Sequence, residues 1–108
     1  MQYKQKDLGY KRTKTSARYM VHMDNLTMWS VPVQIIADSR DEYYKDDKED
    51  TIKSIRKGDL DPYGIKDWAS GNMNWADVKE YAVQEDSAGE PNWEECWMNS
   101  PTEILGNL

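Results

Sequence analysis

Phenylalanine is absent from this 108-residue chain, and cysteine and histidine occur once each. A single thiol, Cys96, cannot build an intrachain disulfide framework. The single imidazole, His22, alternates onto the face of a predicted strand opposite Val21 and has no evident partner, so a catalytic role for it is not expected. No apolar run approaches the roughly 20 residues of a membrane span. The opening residues, Met1 to Lys14, lack the apolar stretch of a secretory signal, which makes a reducing cytoplasm the expected compartment and a membrane an unexpected partner. From Glu80 to Leu108 there is no lysine or arginine at all. Internal repeats are also missing, and a chain of this length supports one domain with one modest core.

What the chain does have is tryptophan and tyrosine, five and seven respectively. Each buries on the order of 150–250 Å², so they must replace the missing phenylalanines in the core. The densest stretch, Asp67-Trp68-Ala69-Ser70-Gly71-Asn72-Met73-Asn74-Trp75-Ala76-Asp77-Val78, places two tryptophans between helix-stopping and helix-starting signals. It specifies structure, since nothing in it is a nucleophile, a metal cluster or a phosphate loop. The net charge of −6 conceals an asymmetry: residues 1–18 carry +5, residues 38–50 carry −4, and residues 80–108 carry −7. Such opposed charge on a small domain suggests electrostatically steered partners; the alternative is that the arm folds back on the acidic end or that both are simply solvated.

Residues 1–16, polar and without period, read as a flexible basic arm, followed by a single α+β domain over 17–108. Arg18 to Met23 alternates with Tyr19, Val21 and Met23 on one face, and Met28 to Val31 resumes an extended run after a turn at Asp24–Thr27, which predicts a hairpin. Pro32 opens a helix over about 32–45, with Val33, Ile36, Ala37, Arg40 and Tyr44 on one face and an Asp41–Lys45 pair outside. The acids at 46–50 suit the start of a second helix carrying Ile52 and Ile55 and ended by Gly58. Asp61-Pro62 starts a third helix with Ile65, Trp68 and Ala69 on one face, and Asn74 with Asp77 caps a further turn through Trp75 and Val78. A third strand is expected over 79–83, a loop over 87–91, and an aromatic return segment over 93–105. The expected fold is a small antiparallel sheet built on the N-terminal hairpin and packed against two or three short helices. Its expected core is Tyr19, Val21, Trp29, Val31, Val33, Ile36, Ala37, Tyr44, Ile52, Ile55, Ile65, Trp68, Trp75, Val78 and Tyr81.

Two segments carry a resemblance: Trp29-Ser30-Val31-Pro32-Val33-Gln34-Ile35-Ile36-Ala37-Asp38-Ser39-Arg40-Asp41-Glu42-Tyr43-Tyr44, and Asp67-Trp68-Ala69 running into Asn72-Met73-Asn74-Trp75-Ala76-Asp77-Val78. Together they resemble small uncharacterised proteins encoded by bacteriophages and prophages, over about residues 18–83. The resemblance implies provenance, a phage gene product in the cytoplasm of an infected bacterium, and supplies no catalytic residue.

Cys96 sits beside Glu94 and Glu95, and neighbouring negative charge raises a thiol pKa, which disfavours a nucleophile. Asp59-Leu60-Asp61-Pro62-Tyr63-Gly64 has the start of a calcium loop, but Ser70 stands where a bidentate glutamate is required. Asp61 is better explained as a helix cap. The acids of 46–50 read as a solvated charge run, and Asn25-Leu26-Thr27, a glycosylation sequon, reads as a turn. No metal site and no cofactor are expected.

Tyr10-Lys11-Arg12-Thr13-Lys14 mixes basic and aromatic residues, and Lys11, Arg12 and Lys14 are the candidate nucleic-acid contacts. A pI near 4.7 argues against that role for the chain as a whole. Acidic groups interleaved with aromatics suit a basic protein surface instead, with Asp46, Asp47, Glu49, Glu90, Trp93, Glu94, Glu95 and Trp97 as candidate contacts. The expected function is that of a non-enzymatic phage accessory protein that binds a host or phage protein. The alternatives are a phage structural or assembly component, or a small nucleic-acid-binding module using the basic arm.

Overall fold

The computed structural model describes residues 3–22, 28–86, 101–106 and 108, with side chains described outside 84–86. The fold is α+β. Strands β1 (Arg18–His22) and β2 (Met28–Pro32) form the expected antiparallel hairpin, with Tyr19 opposite Val31 and Val21 opposite Trp29. The period-2 alternation puts this apolar set on one face, and Tyr19, Val21 and Val31 are fully buried there. Two further antiparallel strands, β3 (Val83–Asp86) beside β2 and β4 (Thr102–Leu105) beside β1, give the order β3-β2-β1-β4. The β2–β3 register shifts between Met28 and Trp29.

Pro32 closes β2 and directly precedes helix α1 (Val33–Tyr43). Its Val33, Ile36 and Ala37 pack against the sheet with Ile52 and Ile55 of α2 (Thr51–Arg56), Ile65 and Ala69 of α3 (Tyr63–Asn72), and Trp75 and Val78 of α4 (Trp75–Val78). Local signals place the helix ends. Asp50 accepts from the Lys53 amide to cap α2, and Gly58, at φ 81°, lies just past its end. Asp61 accepts from the Tyr63 amide at 2.8 Å, and Asn74 and Asp77 form a reciprocal capping box on α4.

Within the sheet and helices the structure departs from the sequence reading at several points. The helical turn launched at Asn74 continues as a 3₁₀ turn over Lys79–Tyr81, so the strand expected over 79–83 begins only at Val83. Tyr44, expected in the core, is exposed, while Trp29, Trp68 and Tyr81 are only partly buried; Ala17, Met20, Ile35, Ala69 and Met73 are buried in addition to the expected set. The outer-face pair of Asp41 with Lys45 does not form, because Asp41 is buried and bonded elsewhere. The turn at Asp24–Thr27 and the loop over 87–91 lie outside the described residues, as does the part of the return segment before Pro101.

Candidate protein-interaction surface

The basic arm is not a free tail. Residues 3–16 form a strap along α1, and Arg12, expected to meet phosphate, is only 6% exposed. Its Nη1 donates to Asp38 at 2.7 Å and to Asp41 at 2.9 Å, and its Nη2 donates to the Lys6 carbonyl. Asp38 also accepts from the Tyr3 hydroxyl (2.7 Å), the Lys6 amide (2.9 Å) and the Gln34 side-chain amide (3.1 Å). Asp41 accepts from the amide and hydroxyl of Thr51 at 2.8 and 2.6 Å. Further anchors hold the strap, among them the Thr13 amide on Asp50 and the Thr15 amide on Gln34.

Burial draws the Arg12 guanidinium down, but its hydrogen bonds to Asp41 and Asp38 outweigh that pull and hold it above its ordinary value. Burial pushes the Asp41 carboxyl up, against the pull of Thr51 and Arg12. This is a structural staple. Two expectations are corrected by it: the flexible arm, for residues 3–16, and Arg12 as a nucleic-acid contact. Lys11 and Lys14 stay exposed, with the Lys14 carbonyl accepting from Arg56.

The far end of α1 behaves differently. Tyr43 is 72% exposed and Tyr44 is also exposed, and the two rings meet edge to face with centroids 4.8 Å apart. Trp68, from α3, completes the group at 5.5 Å from Tyr43 and 6.0 Å from Tyr44. Its indole Nε1 donates to Ser39 Oγ at 3.0 Å, which fixes the ring while leaving it part-exposed. The Arg40 guanidinium stacks over Tyr44 with Cζ 5.1 Å from the ring centroid. These side chains line a cleft of about 320 Å³ together with Leu60 and Asp67.

Asp46 and Asp47, in the 3₁₀ turn Lys45–Asp47 that follows the two tyrosines, are exposed, and so is Asp67. None of these three carboxylates has an ion pair among the described residues. Glu49, grouped with them in the sequence reading, has an internal task instead: its carboxylate accepts from Arg40 at 3.0 Å, and its backbone carbonyl accepts from the Tyr10 hydroxyl. It is removed from the candidate contacts. Glu90, Trp93, Glu94, Glu95, Trp97 and Cys96 lie outside the described residues.

Sequence reasoning missed the three-ring group by assigning Tyr44 and Trp68 to the core. A partial signal was present in the Tyr43-Tyr44 dipeptide, two large rings about 100° apart at the end of a helix that runs into the acidic stretch 46–50.

His22 sits 3.0 Å from Glu103 of β4, with both side chains part-exposed. Asp61, from the calcium-like segment, serves α3 as a cap. Among the described residues no cluster of three or more His, Cys, Asp or Glu side chains is placed to hold a metal ion, and no helix is long and apolar enough to cross a membrane. No family model matches the chain, and neither a curated protein nor a solved structure matches it.

Proposed function

We propose that this protein is a non-enzymatic bacteriophage accessory factor that binds a protein with a basic surface, in the cytoplasm of the infected host. The observation that carries the reading is the ring group of exposed Tyr43 and Tyr44 with part-exposed Trp68, beside Asp67 and followed in the chain by Asp46 and Asp47, three exposed carboxylates without an ion pair among the described residues. Rigid aromatics inside a charged rim have the composition of binding hot spots. A nuclease, polymerase or defence component with a phosphate-binding face is the fitting target, the acids standing in for phosphate charge. The phage origin rests on the resemblance of the 29–44 and 67–78 segments. Direct nucleic-acid binding loses support, since the one guanidinium in the arm's basic motif is consumed by Asp38 and Asp41.

Affinity capture from bacterial lysate, followed by mass spectrometry, tests the reading. Capture of a discrete basic protein is expected to weaken in Asp46→Lys/Asp47→Lys and at raised salt, since exposed charges are screened beyond about 8 Å at physiological ionic strength. His22→Ala and Cys96→Ser are expected to leave capture intact. Capture that survives the charge reversal but disappears in Lys11→Ala/Lys14→Ala would overturn it.

A further inference from the structure

We propose that the cleft between the end of α1 and the face of α3 is a receptor for one lysine side chain of the partner. The inference rests on the interaction reading above and names the chemistry of its central contact. At about 320 Å³ the cleft is at the lower end of small-ligand pockets and has room for a single long side chain. Its lining, which also includes Arg40, Gly64 and Asn72, offers two kinds of contact to a lysine. Tyr43, Tyr44, Trp68 and Leu60 offer ring faces and a branched aliphatic surface, suited to a four-carbon stem. Asp67 offers a carboxylate with no hydrogen-bond or ion-pair partner among the described residues, suited to the ammonium at the end of that stem.

The site already shows its preference for cations internally. Arg40 lies over the Tyr44 ring at 5.1 Å, as electron-rich ring faces favour. That arginine does not repel a second cation strongly, because its charge is matched by Glu49, whose carboxylate accepts from Nη1 at 3.0 Å; the same Nη1 also donates to Thr51 Oγ1 at 3.1 Å. Asp46 and Asp47, exposed in the turn that follows the two tyrosines in the chain, add negative charge that attracts a basic side chain toward this end of α1. An acidic or neutral polar side chain would find Asp67 repulsive or unrewarding. A purely apolar one would leave that carboxylate desolvated without a partner.

The experiment uses the full chain labelled with ¹⁵N and three capped tripeptides, Gly-Lys-Gly, the same peptide with Nε-acetyl-lysine, and Gly-norleucine-Gly. The Trp68 indole N–H, fixed on Ser39, is the reporter. The lysine peptide is expected to shift that resonance saturably, and the acetylated and norleucine peptides are not. Tyr43→Ala and Asp67→Asn alter exposed side chains, so each is expected to keep the amide spectrum of the rest of the fold while weakening lysine-peptide binding about 2- to 30-fold. An equal response to the acetylated peptide, no saturable response to the lysine peptide, or indifference to both substitutions would overturn the assignment. Partner capture that depends on Asp46 and Asp47 while no lysine peptide moves Trp68 would remove the lysine receptor and leave the interaction reading standing. Saturable lysine binding without any captured partner would do the opposite.

Discussion

Replacing Arg12 with methionine is the most severe single change the strap can undergo. The substitution keeps much of the aliphatic stem but removes the charge between Asp38 and Asp41, whose side chains are each 1% exposed in their pairs with Arg12. Breaking a buried ion pair from one side costs roughly 3–5 kcal/mol, because the carboxylates left behind remain out of water without compensation. Here Asp38 keeps three other donors and Asp41 keeps two, which places the cost near the lower bound, about 3 kcal/mol. That is a large fraction of the 5–15 kcal/mol that a domain of this kind has in total. A loss of that size lowers the melting temperature by roughly 12–20 °C in a domain of about 100 residues. Urea unfolding followed by tryptophan fluorescence reads the same loss as a fall in midpoint. The exposed neighbours Lys11→Ala and Lys14→Ala serve as controls and are expected to stay within about 0.5 kcal/mol of the parent. A loss below about 1 kcal/mol for Arg12→Met, or equal losses for Arg12→Met and Lys11→Ala, would refute the staple.

The remaining expectations concern pH, the core and the rim. Tyr3 is held well above its ordinary pKa of 10.0, first by burial and then by its hydrogen bond to Asp38. The unfolded chain therefore loses this proton before the folded one, so the stability contributed by Tyr3 is complete below about pH 10 and is lost as pH rises beyond it. Tyr3→Phe should be less stable than the parent at neutral pH and should show a flatter decline under alkaline titration by circular dichroism. Trp75, buried and edge-on to Trp29 at 5.6 Å, should cost about 3–5 kcal/mol when replaced with alanine, measured by chemical denaturation. Asp46→Lys/Asp47→Lys should change stability by less than about 0.5 kcal/mol per site, so any loss of partner capture in that variant reports recognition and not unfolding.

The elements with a strong local signal were legible before the fold was known. The hairpin followed from alternation around Tyr19 and Val21, α1 from Pro32 and the Val33–Ile36–Ala37 spacing, and α4 from the Asn74–Asp77 pair. The strap was not legible, because nothing in the polar run 3–16 has a period. What could have exposed it lies on α1, where Gln34, Asp38 and Asp41 at i, i+4 and i+7 make a polar stripe beside Val33, Ile35, Ile36 and Ala37. A helix that is apolar on several sides and still carries such a stripe needs a cover that brings donors, and the only uncommitted run of net positive charge is the arm. The candidate surface was half legible. Acids beside aromatics were expected to mark it, and Asp46 and Asp47 are exposed as that expectation needs, but Glu49 is turned inward by Arg40, a contact nine residues away that no local rule supplies.

The position of β1 has a consequence for how the chain assembles. One neighbour, β2, is joined to it by a short connection, whereas the other, β4, pairs Tyr19 with Ile104 and Val21 with Thr102 across most of the chain's length. Hairpins close in roughly 1–10 μs, but contacts of such sequence separation raise the contact order and slow the overall reaction, since loop-closure entropy must be overcome before the pairing stabilises anything. The central strand is thus half paired early and half paired late. Until residues 102–105 arrive, its open edge and the apolar face around Tyr19 form the part of the folding chain most exposed to pairing with another molecule.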